Sequence, residues 1–350
     1  MTDLIEFFNC PTPQRLNLLL LGSIWLWYGI LRYLNSYKVN ISSVLQIKLP
    51  HDMHPSPTNR QLIQNVQRFA LKMSRLMIPL HITTLFLFHR FQNTTDSNEQ
   101  WGTLPFLMLH LFPLCQLLLL VFFIVQQSVI TRYAVKRLPL IESKPTQLRN
   151  VYILLSDSLT SFTRPLIDFL LFTHSLFNRP HTDIDLLLSS LPSFIRIFQC
   201  LREYQFVRNL SLLGNTLKYT CNLPILIFTW YLRIHPEMLS SSKFKTFQML
   251  FLTVNSTYSY LWDIKMDWNI PSFISLREGH NKMVFKRYTY YFAILTNLIL
   301  RFWWLWIFLG KYSKFVFFDE ELQYLEILRR AQWVIFKLES EYISRPMPKS

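Results

Sequence analysis

Four cations and four carboxylates stand inside stretches that are otherwise apolar, and they are the residues of this chain whose types and places invite chemistry. Asp157 sits in Leu154-Leu155-Ser156-Asp157-Ser158-Leu159-Thr160, and Lys218-Tyr219 interrupts the run from Leu210 to Tyr231. Arg301 lies within Ile294 to Ile307, and Arg329 and Arg330 lie within Leu325 to Leu338 with Glu326 one turn before them. Asp263 and Asp267 close the apolar run Phe247 to Leu261 in Tyr260-Leu261-Trp262-Asp263-Ile264-Lys265-Met266-Asp267-Trp268. On a helix these two aspartates share a face and Lys265 points away from both. A charge at the centre of a bilayer costs roughly 2.5–3.5 kcal/mol on insertion scales. Four unpaired cations would cost about 10–14 kcal/mol, as much as a whole domain's stability. The pattern therefore predicts a polar cavity within a bundle, where Lys218, Arg301, Arg329 and Arg330 meet Asp157, Asp263, Asp267 and Glu326.

Three of the four cations are arginines, whose planar fork matches two oxygens of a phosphate or carboxylate and whose charge cannot be titrated away. A proton relay would favour His, Asp and Glu, so the chemistry expected is an anion pathway. Trp304, one turn from Arg301, and Trp333, one turn from Arg329, are placed to stack on or shape those guanidinium groups. Plainer readings exist for some of these residues. Asp263, Lys265 and Asp267 would also suit the solvated end of a helix, and Arg329 and Arg330 a surface amphipathic helix; Arg301 is harder to dismiss. No Ser-His-Asp or HxxxxD-like constellation appears, and the nine histidines show no metal-ligand spacing. Neither an enzyme, a cofactor nor a metal site is expected.

The elements that must position these charges are membrane helices. The 350 residues are 51% hydrophobic and 16% aromatic, and the mean hydropathy is +0.19, which points to an all-α polytopic transmembrane bundle. The net charge of +15 would suit a nucleic-acid partner, but Lys and Arg cluster between apolar runs, as in cytoplasmic loops. Membrane lipid is the expected surrounding, and nucleic acid is not expected. Spans are expected near 16–34, 70–89, 104–126, 151–176, 184–200, 210–233, 246–263, 288–309 and 321–338, about nine helices. Cys10, Cys115, Cys200 and Cys221 lie far apart without a CxxC pair and read as core residues. The first apolar run lacks a basic n-region and a small-residue cleavage site, so it is expected to remain in the protein.

Orientation follows from Lys and Arg near helix ends. The segments 35–69 and 127–150 are basic and are expected in the cytosol, as are 201–209 and 264–287; 90–103 has Arg90 with Asp96 and Glu99 and is expected in the lumen. This puts the N-terminus in the lumen and the C-terminus in the cytosol. Sequons occur at Asn40, Asn93, Asn209 and Asn255, and only Asn93 falls where a glycan is expected. The six glycines form no GxxxG, which argues against close small-residue packing as a dimer contact but leaves a homodimer open. The division expected is 1–149 for the N-terminus and first three spans, 150–342 for the core and 343–350 for a short tail.

Five patterns in order resemble one family, the EXS domain of eukaryotic phosphate exporters and yeast ER-retention-defective proteins. They are Arg196-Ile197-Phe198-Gln199-Cys200-Leu201-Arg202-Glu203-Tyr204, Asn215-Thr216-Leu217-Lys218-Tyr219, the run Tyr260 to Trp268, Leu300-Arg301-Phe302-Trp303-Trp304, and Glu326-Ile327-Leu328-Arg329-Arg330-Ala331-Gln332-Trp333. Asp157, in Ser156-Asp157-Ser158-Leu159-Thr160-Ser161, resembles an earlier motif of the family. The resemblance implies an EXS-type core with a phosphate pathway lined by Asp157, Lys218, Tyr219, Asp263, Arg301, Trp304, Arg329 and Arg330, with Asp267 and Glu326 at its rim. Glu203 and Leu217 depart from the exporters, which tend to have Arg and Gly there. The exporters also carry a long SPX domain before the first helix, whereas here Leu16 already opens an apolar run. This points to the short Golgi branch. That branch implies return of inorganic phosphate, a glycosylation by-product, from the Golgi lumen to the cytosol, supporting retention of ER lumenal proteins and recycling of glycosyltransferases. The alternative expectation is a non-transporting sorting factor whose basic loops recruit coat adaptors to recycle Golgi glycosyltransferases.

Overall fold

The computed structural model describes residues 12–45, 57–95, 103–137, 149–175, 184–273, 276–277, 283–305 and 319–345. Twelve helices run through them: α1 (Thr12–Ser36), α2 (Asn59–Thr95), α3 (Thr103–Gln126), α4 (Val129–Arg137), α5 (Arg149–Ser161), α6 (Thr163–Ser175), α7 (Ile184–Val207), α8 (Leu210–Thr220), α9 (Leu223–Ile234), α10 (Ser242–Trp262), α11 (Arg287–Arg301) and α12 (Asp319–Ile343). A single turn, Ile41–Val44, follows α1. The described residues contain no strand, so the all-α expectation holds.

Among the described residues three helices are long and apolar enough to cross a membrane: Thr12–Ser36, Asn59–His89 and Ile184–Val207. A fourth candidate is the pair Leu111–Gln126 and Ile130–Lys136, bent by 111°. The surface around them is apolar. Ile82 (60% exposed), Phe86, Leu118, Phe122, Leu187, Phe198, Ile227, Phe292 and Leu295 all face outward, far more apolar surface than a water-facing protein leaves bare. The bundle is a polytopic membrane fold, and an apolar outer surface of this kind suits a lipid surrounding.

The expected spans 151–176 and 210–233 are each two helices. Pro165 cannot donate to the carbonyl of Ser161, and Pro224 cannot donate to that of Thr220, so the chain breaks between α5 and α6 and between α8 and α9. Within the expected span 288–309, helix α11 ends at Arg301, and residues 306–309 lie outside the described residues. These shorter helices bring backbone ends and charge into the bundle. Irregular backbone at membrane depth is tolerated where protein surrounds it.

Helix α1 packs against α2, α3, α6 and α12, and α12 also touches α5, α11 and the turn after α10. The largest buried apolar group joins Ile30, Leu31 and Leu34 of α1 to Ile264, Trp268 and Ile270 beyond α10 and to Trp333, Val334 and Phe336 of α12. Trp268 is fully buried, with its ring 5.0 Å from that of Phe336. The 321–338 segment is thus a central helix, with its charges turned inward, and the surface amphipathic alternative does not apply.

Lys48, Asp96, Glu99, Lys144, Lys282, Lys311 and Lys314, on which part of the orientation rests, lie outside the described residues. Asn93 falls in the last turn of α2, and its side chain is outside the description. Two other sequon asparagines act as helix caps: Asn40 accepts from Ser43 N, and Asn209 accepts from Ser211 N. An Asn-x-Ser tripeptide is a good capping sequence, which accounts for both. Asn255 lies inside α10.

Candidate functional site

The polar cavity is assembled from broken helix ends. Asp157 and Thr160-Ser161 stand at the end of α5, Lys218-Tyr219 at the end of α8, Asp263 just past α10, and Arg301 at the end of α11. Helix α12 passes the site without a break and contributes Glu326, Arg329, Arg330, Trp333 and Lys337, and the unbroken α7 contributes Arg196. Arg301 is therefore a C-terminal residue rather than a mid-helix one. A cation there complements the helix dipole, and the Arg301 carbonyl accepts from Ser256 Oγ at 3.2 Å.

The segment Asp263–Asp267 forms one π-helical turn, in which Trp268 N reaches back to Asp263 O at 2.9 Å. Such turns recur at functional sites because they re-aim side chains. Both aspartates do share a face, as the helical spacing predicts, because Lys218 Nζ bridges them: 2.8 Å to Asp263 Oδ1 and 3.2 Å to Asp267 Oδ2. Lys265 is exposed. Asn269, at φ 51°, ends the turn in the left-handed region that Asn tolerates.

Asp263 has no exposed surface and lies at the centre of the network. Its Oδ2 is 2.6 Å from Arg301 and 3.6 Å from Arg329. Asn297, one turn before Arg301, donates toward the same oxygen at 3.5 Å and accepts from Arg329 at 3.2 Å. Arg329 also forks onto Glu326, at 2.8 and 2.6 Å. The solvated-end alternative for Asp263 is thereby excluded. Asp267, part-exposed, receives Trp333 Nε1 at 3.3 Å and Lys337 at 3.5 Å.

Asp157 pairs with Arg196 Nε at 2.7 Å and accepts from the Tyr219 hydroxyl. The Arg196 guanidinium lies 5.2 Å from the Tyr219 ring centre. Tyr219 thus joins the site through Asp157, while Lys218 joins it through Asp263. Trp304 reaches Arg301 by relay: its indole N–H donates to Ser256 Oγ at 2.9 Å, and Ser256 holds the Arg301 carbonyl. The arginine lying over Trp333 is Arg330, at 4.9 Å, and not Arg329 as the one-turn spacing suggests.

Arg330 is the exception in the electrostatics. Its Nε donates to Ser161 Oγ at 3.1 Å and its terminal nitrogen to Thr160 Oγ1 at 2.9 Å. Among the described residues no carboxylate lies within ion-pair distance of it. Lys218, Arg301, Arg329 and Arg330 face Asp263, Asp267 and Glu326, so one positive charge is left over. Adding the Arg196–Asp157 and Lys337–Glu341 pairs leaves that surplus unchanged. A buried guanidinium held by two neutral hydroxyls retains capacity for an anion, since hydrogen bonds to charged acceptors are roughly twice as strong as neutral ones.

Arg196, Asn297, Thr160, Ser161 and Lys337 belong to the site without having been expected there. Arg196 is a lone cation in the apolar run 184–200 of α7, and its burial carries the same cost as that of Arg301. A second buried network is also absent from the sequence-based expectations. Arg277 NH1 binds both oxygens of Glu339 at 2.8 Å, and Glu339 further receives Tyr290 at 2.5 Å and Val284 N at 3.3 Å. Arg277 also holds the carbonyls of Trp268 and Asn269. This clamp fixes the chain beyond the π turn onto α12.

The chain is 41% identical to Protein ERD1 of Saccharomyces cerevisiae over 347 residues, 96% of this chain and 94% of that protein. It is 30% identical to Protein ERD1 of Kluyveromyces lactis over 377 residues, 95% of this chain and 94% of that protein. Similarity to Solute carrier family 53 member 1 of Mus pahari is narrower: 30% over 173 residues, 45% of this chain and 24% of that protein. The sequence pattern of the EXS family matches residues 10–343, beginning well before the first of the five motifs. The helices ahead of residue 150 are therefore part of the family's own unit, and the chain belongs to the EXS family.

Proposed function

We propose that the buried network is an anion pathway and that the protein is a phosphate transporter or channel. It returns inorganic phosphate, released by glycosylation, from the Golgi lumen to the cytosol, with the N-terminus lumenal and the C-terminus cytosolic. The observation that carries this reading is the surplus cation: Arg330, buried, held by Thr160 and Ser161 and backed by Trp333. Arg301 and Arg329 add donors beside it, and Asp263 holds them apart so that the site does not trap its ligand. Conduction needs binding strong enough to admit the ion and weak enough to release it. A bundle of discontinuous helices whose ends meet at one polar centre is also how many secondary transporters build a substrate site. The similarity to a protein named as a solute carrier agrees with transport, and retention of ER proteins and recycling of glycosyltransferases follow as consequences of phosphate balance.

The test is phosphate flux. Proteoliposomes carrying the wild-type protein should take up radiolabelled phosphate, and Arg301→Ala should abolish the uptake while the protein elutes as a folded species. Unchanged flux in folded Arg301→Ala sinks the reading. The sorting-factor alternative, with coat adaptors and glycosyltransferases as partners, rests on the loops 35–69 and 127–150, of which 46–56 and 138–148 lie outside the described residues. It predicts that Arg301→Ala leaves glycosyltransferase localisation intact whatever the flux.

A further inference from the structure

A second cationic feature lies apart from the pathway, on the lipid-facing side of α2 and α3. Arg68, Lys72 and Arg75 follow one another at spacings of four and three residues along α2, and all three are exposed. With Leu71 and Leu76 of the same helix and Phe123 of α3 they line an open groove of about 740 Å³. Lys72 lies 4.9 Å from the Phe123 ring centre. Among the described residues no carboxylate pairs with any of the three. Beyond the cations α2 exposes Ile78, Ile82 and Phe86, and α3 exposes Leu118 and Phe122, each between 47 and 63% exposed.

The level of the groove in the membrane follows from its neighbours. It sits near the start of the α2 span and the end of α3, where the basic segments 35–69 and 127–150 flank the bundle. At that end the chain turns by 111° into α4, a short helix carrying Arg132, Lys136 and Arg137. A sharp turn into a short basic helix marks the membrane interface. Three unpaired cations there, with an apolar wall running away from them, match one occupant in charge and shape: a phosphorylated headgroup at the cations and acyl chains along Ile78, Ile82 and Phe86.

We propose that this groove binds an anionic phospholipid, with Arg68, Lys72 and Arg75 holding its headgroup phosphates. Clustered basic residues beside a membrane helix bind anionic lipid at roughly fivefold per residue. Removing all three charges should therefore weaken binding by about 100-fold.

The test uses the full-length protein in neutral detergent and reads bound lipid by native mass spectrometry. The probes are phosphatidylinositol 4-phosphate and phosphatidylserine, with phosphatidylcholine as the neutral control and inorganic phosphate and inositol 1,4-bisphosphate as chain-free competitors. Wild type should retain the anionic lipids and not phosphatidylcholine, and R68Q/K72Q/R75Q should lose them by about 100-fold. The charge-conserving R68K/R75K variant should keep most of the binding, which separates a lost site from a lost fold. Three results each overturn the proposal: the triple variant binding as wild type does, phosphatidylcholine binding equally well, or the chain-free competitors displacing lipid at equal concentration. The last would make the groove a soluble-anion site.

Discussion

Asp263→Asn isolates the carboxylate on which the network depends. The side chain is unexposed and touches two cations, Lys218 at 2.8 Å and Arg301 at 2.6 Å, with Arg329 at 3.6 Å. Asparagine keeps the shape and one acceptor, but its amide N–H₂ must then face Lys218 or Arg301, both of which can only donate. The local surplus rises from one positive charge to two. Breaking a buried pair by removing one partner costs about 3–5 kcal/mol, and full burial leaves no solvent to soften that figure. Lys218→Met in the same protein should return part of it. The introduced amide would then accept from Arg301 through its oxygen while its N–H₂ meets an apolar side chain, and Asp267 would keep Lys337 and Trp333 as partners. The cost of a donor left facing a donor is about 1–3 kcal/mol, and this is the expected coupling energy between the two positions. The assay is unfolding by SDS in mixed micelles for wild type, both single variants and the double. Additivity of the two substitutions within about 0.5 kcal/mol would refute the claim that they act on one charge-balanced centre.

Three further outcomes follow from neighbouring contacts. Gly214→Ala sets a Cβ 2.6 and 2.8 Å from the Trp262 ring, beside Asp263; overpacking of that kind costs about 1–3 kcal/mol, and thermal unfolding should show a loss that Trp262→Leu relieves. Glu339→Gln leaves the buried Arg277 without its bidentate partner, at a cost of about 3–5 kcal/mol, and hydrogen exchange should rise in 263–277 before it rises elsewhere. For the proposed orientation, Asn93→Gln should remove any glycosidase-sensitive mass shift, while Asn209→Ala should leave the shift in place and cost about 1 kcal/mol through the lost helix cap.

What the sequence disclosed was set by how local each signal is. Charges inside apolar runs are visible without a fold, because the cost of burying them holds whatever the topology. Asp263, Lys218, Arg301 and the Arg329-Arg330 pair were found in this way, and the structure brings them together. Arg196, a cation within the apolar run of α7 that pairs with Asp157, carries the same signal. The helix breaks at Pro165 and Pro224 were not legible: Pro79, Pro113 and Pro192 also lack an N–H yet lie inside continuous helices, so a proline alone does not mark a break. The ending of α11 at Arg301 was not legible either, because Phe302-Trp303-Trp304 contains no breaker. Which aromatic ring meets which arginine depended on register: adjacent residues on α12 point about 100° apart, so Arg329 reaches Asp263 while Arg330 crosses to α5. The Arg277–Glu339 clamp joins residues 62 apart, and no local pattern marks a loop arginine as buried.

Arg330 bears the central claim most directly, because it is the buried cation of the site that no carboxylate among the described residues pairs with. Phosphate uptake should be measured in proteoliposomes containing wild type or Arg330→Gln, matched for the amount of folded protein. The glutamine can still meet Thr160 and Ser161 but carries no charge, so the account predicts uptake reduced by at least about tenfold, the loss of about one charge-assisted hydrogen bond. Wild-type uptake by folded Arg330→Gln would contradict it.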